Sequence, residues 1–157
     1  HPYLFFEHKA LYRLFSETIP DEYYTTEIGK AKLISKGNNI SIITYGLGVY
    51  WAKEILEPDS ISADILALST LLPWDTEAVK QTVSKTNRVL IVHEDCLTGG
   101  VGAEIAAWIS ENCFKYLDAP VMREGSLDTP VPFSASLEEN FLPKQRLKDK
   151  IDLLLHY

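Results

Sequence analysis

Short β-rich runs alternate with longer amphipathic segments, and this alternation constrains the fold more than any other feature of the sequence. The strand-like runs lie at residues 31–35, 41–45, 63–68, 88–92 and 121–123. The helical patterns lie at residues 47–56, 75–85, 101–113 and 144–155. Strands that alternate with helices favour βαβ units, so the sequence predicts a three-layer α/β domain with a mostly parallel central sheet of about five strands.

Composition and charge exclude several classes of function. A hydrophobic content of 46% is typical of a globular chain and too high for a disordered one. No apolar run approaches the roughly 18 residues of a membrane span, and a net charge of −7 offers no basic surface to a phosphate backbone. Cys96 and Cys113 are too few for a disulfide framework, which favours reduced thiols in a cytosolic protein. We therefore expect neither a nucleic acid nor a membrane as partner.

The net charge is concentrated in one part of the chain. Nine acidic and two basic residues lie between Glu94 and Glu139, so this stretch alone carries a charge of −7. A solvated acidic face is one interpretation, and an electrostatic docking surface for a basic partner is the other.

A glycine-rich loop follows His93-Glu94 and opens a predicted helix. Its sequence, TGGVG at residues 98–102, could present backbone N–H groups to a phosphate, but the Lys-Ser/Thr pair of a P-loop is absent. Close packing of the helix against a neighbouring helix or subunit is the favoured interpretation. His93 and Glu94 could act as general acid and base, but hydrogen bonding that fixes the loop is the simpler interpretation.

The N-terminus begins with His1-Pro2 and runs directly into an apolar stretch at residues 3–6. Residues 4–6 could form a buried strand, whereas residues 13–27 are polar and aromatic-rich, as in a linker or a surface loop. We expect the chain to be one domain of a longer polypeptide.

Motifs along the whole chain resemble one known family. They are FFEHKALYR (5–13), GKA (29–31), TYG (44–46), TLLPWD (70–75), SKTNR (84–88), VHE (92–94), GGVGAEIAA (99–107), DTPVP (128–132) and LP (142–143). In this order they resemble the C-terminal part of the β subunit of thiamine-diphosphate-dependent 2-oxo acid dehydrogenases, the transketolase C-terminal domain. The first motif resembles the branched-chain (2-oxoisovalerate) enzymes more than the pyruvate enzymes.

The resemblance implies a domain organisation and an activity. Residues 1–13 would end a preceding pyrimidine-binding domain, residues 14–27 would be a linker, and residues 28–157 would form the transketolase C-terminal domain. A holoenzyme of this family uses thiamine diphosphate and Mg²⁺ to decarboxylate a branched-chain 2-oxo acid oxidatively and transfers the acyl group to lipoamide. Its expected location is the cytoplasm of a bacterium or the mitochondrial matrix of a eukaryote.

In such enzymes the C-terminal domain builds interfaces. The implied partners are an α subunit or fused α region, a second β subunit, and the subunit-binding domain of a lipoyl acyltransferase. No catalytic, cofactor-binding or metal-binding residue is carried over, so the chain alone is expected to bind no thiamine diphosphate and to be inactive. The resemblance assigns a subunit interface to His93, Glu94, Gly99, Gly100, Gly102 and Glu104. It assigns acyltransferase docking to Asp118, Glu124 and Tyr157.

The chain departs from the family pattern at three places, one of which is Glu124, where the family often has an apolar residue. Ala67-Leu68-Ser69 stands where the family usually has Asp-Leu-Arg, so the corresponding ion pair is not expected. Asn87 replaces a usual glycine, and asparagine tolerates a left-handed backbone. Three alternatives stay open: a pyruvate dehydrogenase β-subunit domain, a flavodoxin-like module binding phosphate at residues 98–102, and a transketolase or deoxyxylulose-phosphate synthase domain.

Overall fold

A computed structural model describes residues 2–59 and 61–157, which form a five-stranded sheet in the order β1-β3-β2-β4-β5. Strand β1 is antiparallel to β3, and all other neighbours are parallel. The strands are β1 Ala31–Ser35, β2 Ile40–Thr44, β3 Ala63–Leu68, β4 Val89–Cys96 and β5 Met122–Ser126. The helices are α1 Leu11–Leu14, α2 Gly48–Asp59, α3 Thr76–Thr86, α4 Val101–Cys113, α5 Ala135–Phe141 and α6 Leu147–Leu155, with 3₁₀ turns at Phe114–Tyr116 and Lys144–Arg146. The predicted α/β fold is confirmed.

Helices cover both faces of the sheet, which produces the predicted three layers. Ile42 of β2 packs in one cluster with Ile151 of α6, whereas Ile43 packs in the other with Val83 of α3 and Ile109 of α4. Successive strand side chains point to opposite faces, so a strand covered on both sides needs a continuous apolar run. Burial of each such isoleucine contributes roughly 1.5–3 kcal/mol.

Helix α3 begins and ends at residues that the sequence singles out. Asp75 caps its start, where Oδ1 accepts the Ala78 N–H at 3.0 Å and Oδ2 accepts the Ala31 N–H of β1 at 3.1 Å. Asn87 ends it in the left-handed conformation at φ 62° and donates its N–H to the Val83 carbonyl at 3.0 Å. The left-handed backbone that the sequence allows at Asn87 is confirmed.

The N-terminal segment differs from its prediction. Residues 4–6 form no strand, because the segment pairs with neither edge strand of the sheet, and Leu4, Phe5 and Phe6 are 86–87% exposed. Residues 15–30 contain no helix or strand. His1, which opens the predicted segment 1–13, and Ser60 lie outside the described residues.

Candidate functional site

Helix α4 joins two candidate sites. The first, the strand-end site, comprises residues 93–102, where β4 passes through a glycine-rich loop into α4. The second, the α4 groove, has a volume of about 670 Å³ and opens along the outer side of the helix. The groove is lined by Ala103, Ala106, Ala107, Ser110, Phe114, Leu117, Asp118, Ala119, Pro120, Val121, Arg123 and Tyr157.

His93 lies fully buried at the centre of the strand-end site. Its Nδ1 donates to the Asp95 carbonyl at 2.9 Å; because a carbonyl only accepts, we place the ring proton on Nδ1 and a lone pair on Nε2. Nε2 has no hydrogen-bond partner among the described residues. Burial lowers the pKa of His93, so the ring is neutral at physiological pH. A buried ring cannot reach a substrate, and the contact with Asp95 fits the loop-fixing interpretation.

Three glycines make room for the His93 ring. A Cβ on Gly102 would lie 2.3 Å from Nε2, and a Cβ on Gly100 or Gly125 would lie 3.0 or 2.8 Å from Cε1. The predicted close packing is therefore present, and the neighbour that the structure shows for Gly100 and Gly102 is strand β4 of the same chain. Gly99, in contrast, has open space around it and a φ of +77°, which the turn requires.

The Tyr45 ring covers the strand-end site from the neighbouring strand. It lies parallel to His93 with a centroid distance of 6.4 Å. Burial, followed by the charges of Asp95 and Glu94, raises the pKa of Tyr45. In a sheet of this order, the crevice between the carboxyl ends of β2 and β4 is where doubly wound folds bind ligands. Here Tyr45, His93 and the glycines fill it.

Hydrogen-bond donors at the start of the glycine-rich loop are already engaged by carboxylates. Thr98 donates its N–H and its hydroxyl to Asp128, at 3.1 and 2.6 Å, and Cys96 donates its N–H to Asp95 at 2.8 Å. The Thr98 hydrogen bonds lower the pKa of Asp128, which keeps it ionised. An incoming anion would meet the negative charge of Asp95 and Asp128 beside this loop, which disfavours a phosphate or a diphosphate there. Within residues 2–59 and 61–157, no cluster of three His, Cys, Asp or Glu could hold a metal ion.

The six residues predicted for a subunit interface divide into two groups. His93, Gly100 and Gly102 are buried within the chain. Glu94, Gly99 and Glu104 lie at least partly at the surface, and Glu94 pairs with His8 at 3.0 Å. Only the second group is placed to contact another molecule directly.

The α4 groove combines an apolar floor with exposed aromatic residues. Alanines of α4 form one wall, and Phe114 and Tyr157 expose 77% and 64% of their surface. Asp118 lies exposed in the lining, and Arg123 donates to the Leu97 carbonyl at 2.8 Å. The sequence predicts Asp118 and Tyr157 but not the groove itself, because its lining comes from three separate segments without a motif.

Glu124 does not belong to this surface. Its side chain is 4% exposed and accepts a hydrogen bond from Nε of Arg146 at 2.9 Å. Arg146 also donates to the carbonyls of Gly125, Asn140 and Leu142, at 2.8, 2.9 and 3.1 Å. The pair therefore ties β5 to the C-terminal helices, and its burial corrects the placement of Glu124 at a docking surface.

Comparison with known proteins identifies the family of this chain. Residues 29–146 match the transketolase C-terminal domain. The chain belongs to the transketolase C-terminal domain family. This transketolase C-terminal domain is 44% identical over 145 residues to the 2-oxoisovalerate dehydrogenase subunit beta of Bacillus subtilis, covering 90% of the chain and 44% of that protein. It is 41% identical over 147 residues to the pyruvate dehydrogenase E1 component subunit beta of Staphylococcus aureus, covering 92% of the chain and 45% of that protein.

A plant relative supports this family, and a solved structure shares the fold. The mitochondrial 2-oxoisovalerate dehydrogenase subunit beta 2 of Arabidopsis thaliana is 39% identical over 160 residues, covering 99% of the chain and 44% of that protein. The solved structure of a split-gene transketolase, an inactive β4 tetramer, superposes with a TM-score of 0.71 at 24% identity, covering 88% of the chain and 45% of that structure, and shares the fold. The transketolase C-terminal domain spans less than half the length of these relatives. Its described helices are all too short or too polar to cross a bilayer.

Proposed function

We propose that this domain is part of the β subunit of a thiamine-diphosphate-dependent 2-oxo acid dehydrogenase and serves there as an interface and docking domain. The observation that carries the proposal is the contrast at α4, where a closed strand-end site lies beside an open, partly apolar groove. The names of the curated relatives support the enzyme class.

Branched-chain 2-oxo acids are the substrate class that we propose for the holoenzyme. The Bacillus subtilis 2-oxoisovalerate relative is 44% identical, against 41% for the pyruvate relative of Staphylococcus aureus. The segment at residues 5–13 resembles the branched-chain enzymes as well. A pyruvate dehydrogenase β subunit is the second candidate, because the sequence identities to the two relatives are nearly equal.

The remainder of the holoenzyme would supply the cofactor site. Residues 1–13 would end a preceding pyrimidine-binding domain, residues 14–27 would be a linker, and an α subunit or fused α region together with a second β subunit would complete the assembly. Thiamine diphosphate and Mg²⁺ would be held outside residues 28–157, because Asp95 and Asp128 place negative charge beside the glycine-rich loop. The enzyme would work in a bacterial cytoplasm or a mitochondrial matrix.

The domain surfaces suit two different partners. Glu94, Gly99 and Glu104 would contact the second β subunit, with His93, Gly100 and Gly102 as their internal support. Asp118 and Tyr157 in the α4 groove would receive the basic subunit-binding domain of a lipoyl acyltransferase. Attraction between exposed charges raises the association rate and weakens with salt.

Isothermal titration calorimetry of the chain with that basic domain tests the docking role. We expect Asp118→Lys to weaken binding about tenfold at low salt and less at high salt. Glu57→Lys makes the same charge change on α2, outside the groove, and serves as the matched control. Unchanged affinity and salt dependence in Asp118→Lys would refute the assignment.

A second titration tests whether the cofactor site lies outside this chain. The chain is titrated with thiamine diphosphate in the presence of Mg²⁺, and we expect no binding heat. Tight binding by this chain alone would contradict the proposal that the cofactor site lies elsewhere.

A further inference from the structure

An exposed apolar surface follows β5 at the carboxyl edge of the sheet. It is formed by residues 127–137, the β5–α5 segment, which runs from the end of β5 into the first turn of α5. Leu127, Val131 and Leu137 expose 44%, 67% and 59% of their surface, and Phe133 is fully exposed. None of these residues lines the α4 groove. Apolar side chains concentrated in one exposed segment indicate a contact surface.

The β5–α5 segment is held in a fixed shape although its side chains are exposed. Asp128 accepts the N–H and the hydroxyl of Thr98 at 3.1 and 2.6 Å. The Leu127 N–H donates to the Phe141 carbonyl at 3.1 Å, which closes the segment at its other end. Pro130 and Pro132 restrict the backbone in between. A segment that is ordered before binding loses little conformational entropy when a partner covers it.

The N-terminal end of the chain reaches the same edge of the sheet. His8 contacts the Glu94 carboxylate at 3.0 Å, and the Glu94 carbonyl accepts the hydroxyl of Ser126, the residue before the β5–α5 segment, at 2.5 Å. Residues 2–8 span at most about 20 Å when fully extended. The side chains of residues 3–6 are apolar or aromatic and exposed as well. Two exposed apolar stretches therefore lie at one edge, and the polypeptide upstream of residue 2 would begin there.

We propose that an apolar face of the preceding domain of the same polypeptide covers the β5–α5 segment, with Phe133 as the central contact. The inference rests on the preceding domain of the proposed function, and the chain spans less than half the length of its curated relatives. A domain joined to residue 2 has a high effective concentration at this edge, so a modest apolar contact keeps it in place. A separate molecule lacks that advantage. One occupant thus covers both exposed stretches.

Photo-crosslinking in the full-length subunit tests this contact. The photoreactive amino acid p-benzoylphenylalanine replaces Phe133, which packs on nothing within this domain, so the fold is expected to tolerate it. The matched control carries the same replacement at Phe114, an exposed phenylalanine in the α4 groove. After irradiation and digestion, mass spectrometry identifies the linked peptides. We expect position 133 to link to peptides upstream of residue 2 with a yield about tenfold higher than position 114.

An equimolar mixture of unlabelled and heavy-nitrogen-labelled subunits identifies the occupant. Links within one chain join two peptides of the same isotope composition, and this result supports the proposal. Mixed-isotope links from position 133 would assign the surface to a second copy and overturn the proposal, as would equal yields at positions 133 and 114. The mass of the native chain separates the two levels of the argument. A native chain without a preceding domain refutes both the domain assignment and the contact, whereas a preceding domain that gives no link refutes the contact alone.

Discussion

The strand-end site and the α4 groove share one helix and differ in almost every other property. The strand-end site holds the glycine motif, a histidine and two acids, yet His93 fills it and the Thr98 donors are engaged by Asp128. The groove has no motif, yet it is open and carries exposed aromatic residues. The comparison teaches that a conspicuous motif can serve packing within a chain, while an open groove can be lined by residues of separate segments that carry no motif.

The largest expected effect comes from closing the space beside His93. Gly102→Ala places a Cβ 2.3 Å from Nε2 of His93, and we expect a loss of about 3 kcal/mol in the free energy of unfolding measured with urea. Ala103→Ser is the control on the groove side of the same helix, with an expected change within about 0.5 kcal/mol. Equal effects of the two substitutions would remove the distinction between a closed and an open region.

The second effect concerns Glu124 and Asp118, two acids to which the sequence assigns the same acyltransferase-docking role. Glu124→Gln breaks a buried pair with Arg146, and we expect it to cost about 2 kcal/mol of stability, less than a fully buried pair because the Arg146 side chain is 34% exposed. Asp118→Asn, at the exposed groove, should leave stability unchanged within about 0.5 kcal/mol. Chemical denaturation of both variants measures the difference. A Glu124→Gln protein as stable as the parent would contradict the buried pair with Arg146 and would favour an exposed Glu124.

The third effect is the pH dependence of stability at the closed site. Burial lowers the pKa of His93 below the ordinary histidine value of about 6.5. As the pH falls below about 6.5, the unfolded chain takes up a proton that the folded chain does not, so stability is full above that pH and is lost below it, by at most about 1.4 kcal/mol per pH unit.

A comparison with His93→Gln isolates this contribution. Unfolding midpoints measured between pH 7.5 and pH 5 should fall less steeply in the variant, whatever its overall stability. The remaining histidines are common to both proteins and cancel. Parallel pH curves would mean that His93 gains its proton at the same pH in the folded and the unfolded chain, which would contradict the lowered pKa.

Local features of the fold follow from the sequence, and long-range contacts do not. The apolar run of β2, the Asp75 cap and the Asn87 left-handed end each depend on neighbouring residues. Helix α5 is not predicted, because all its residues except Phe141 are exposed and no apolar stripe marks it. The predicted helix at 144–155 begins as a 3₁₀ turn at Lys144–Arg146, and its α-helical part starts at Leu147.

The sequence singles out the residues of the strand-end site and, in the α4 groove, Asp118 and Tyr157, but it does not predict how these residues are used. The acids between Glu94 and Glu139 suggest one acidic face, but several of them have partners within the chain. Glu94 contacts His8, Glu124 pairs with Arg146, and Asp95 and Asp128 accept loop N–H groups. Their partners come from other segments or from the loop geometry, which charge patterning along the chain does not contain. The exposed remainder includes Asp118, beside the groove.

Hydrogen–deuterium exchange of the chain, with and without the basic subunit-binding domain of a lipoyl acyltransferase, tests the central claim most directly. Our account predicts protection on binding in residues 103–110 and 118–121, which line the α4 groove, and none in residues 93–100. Protection confined to residues 93–100, with the groove unchanged, would contradict it.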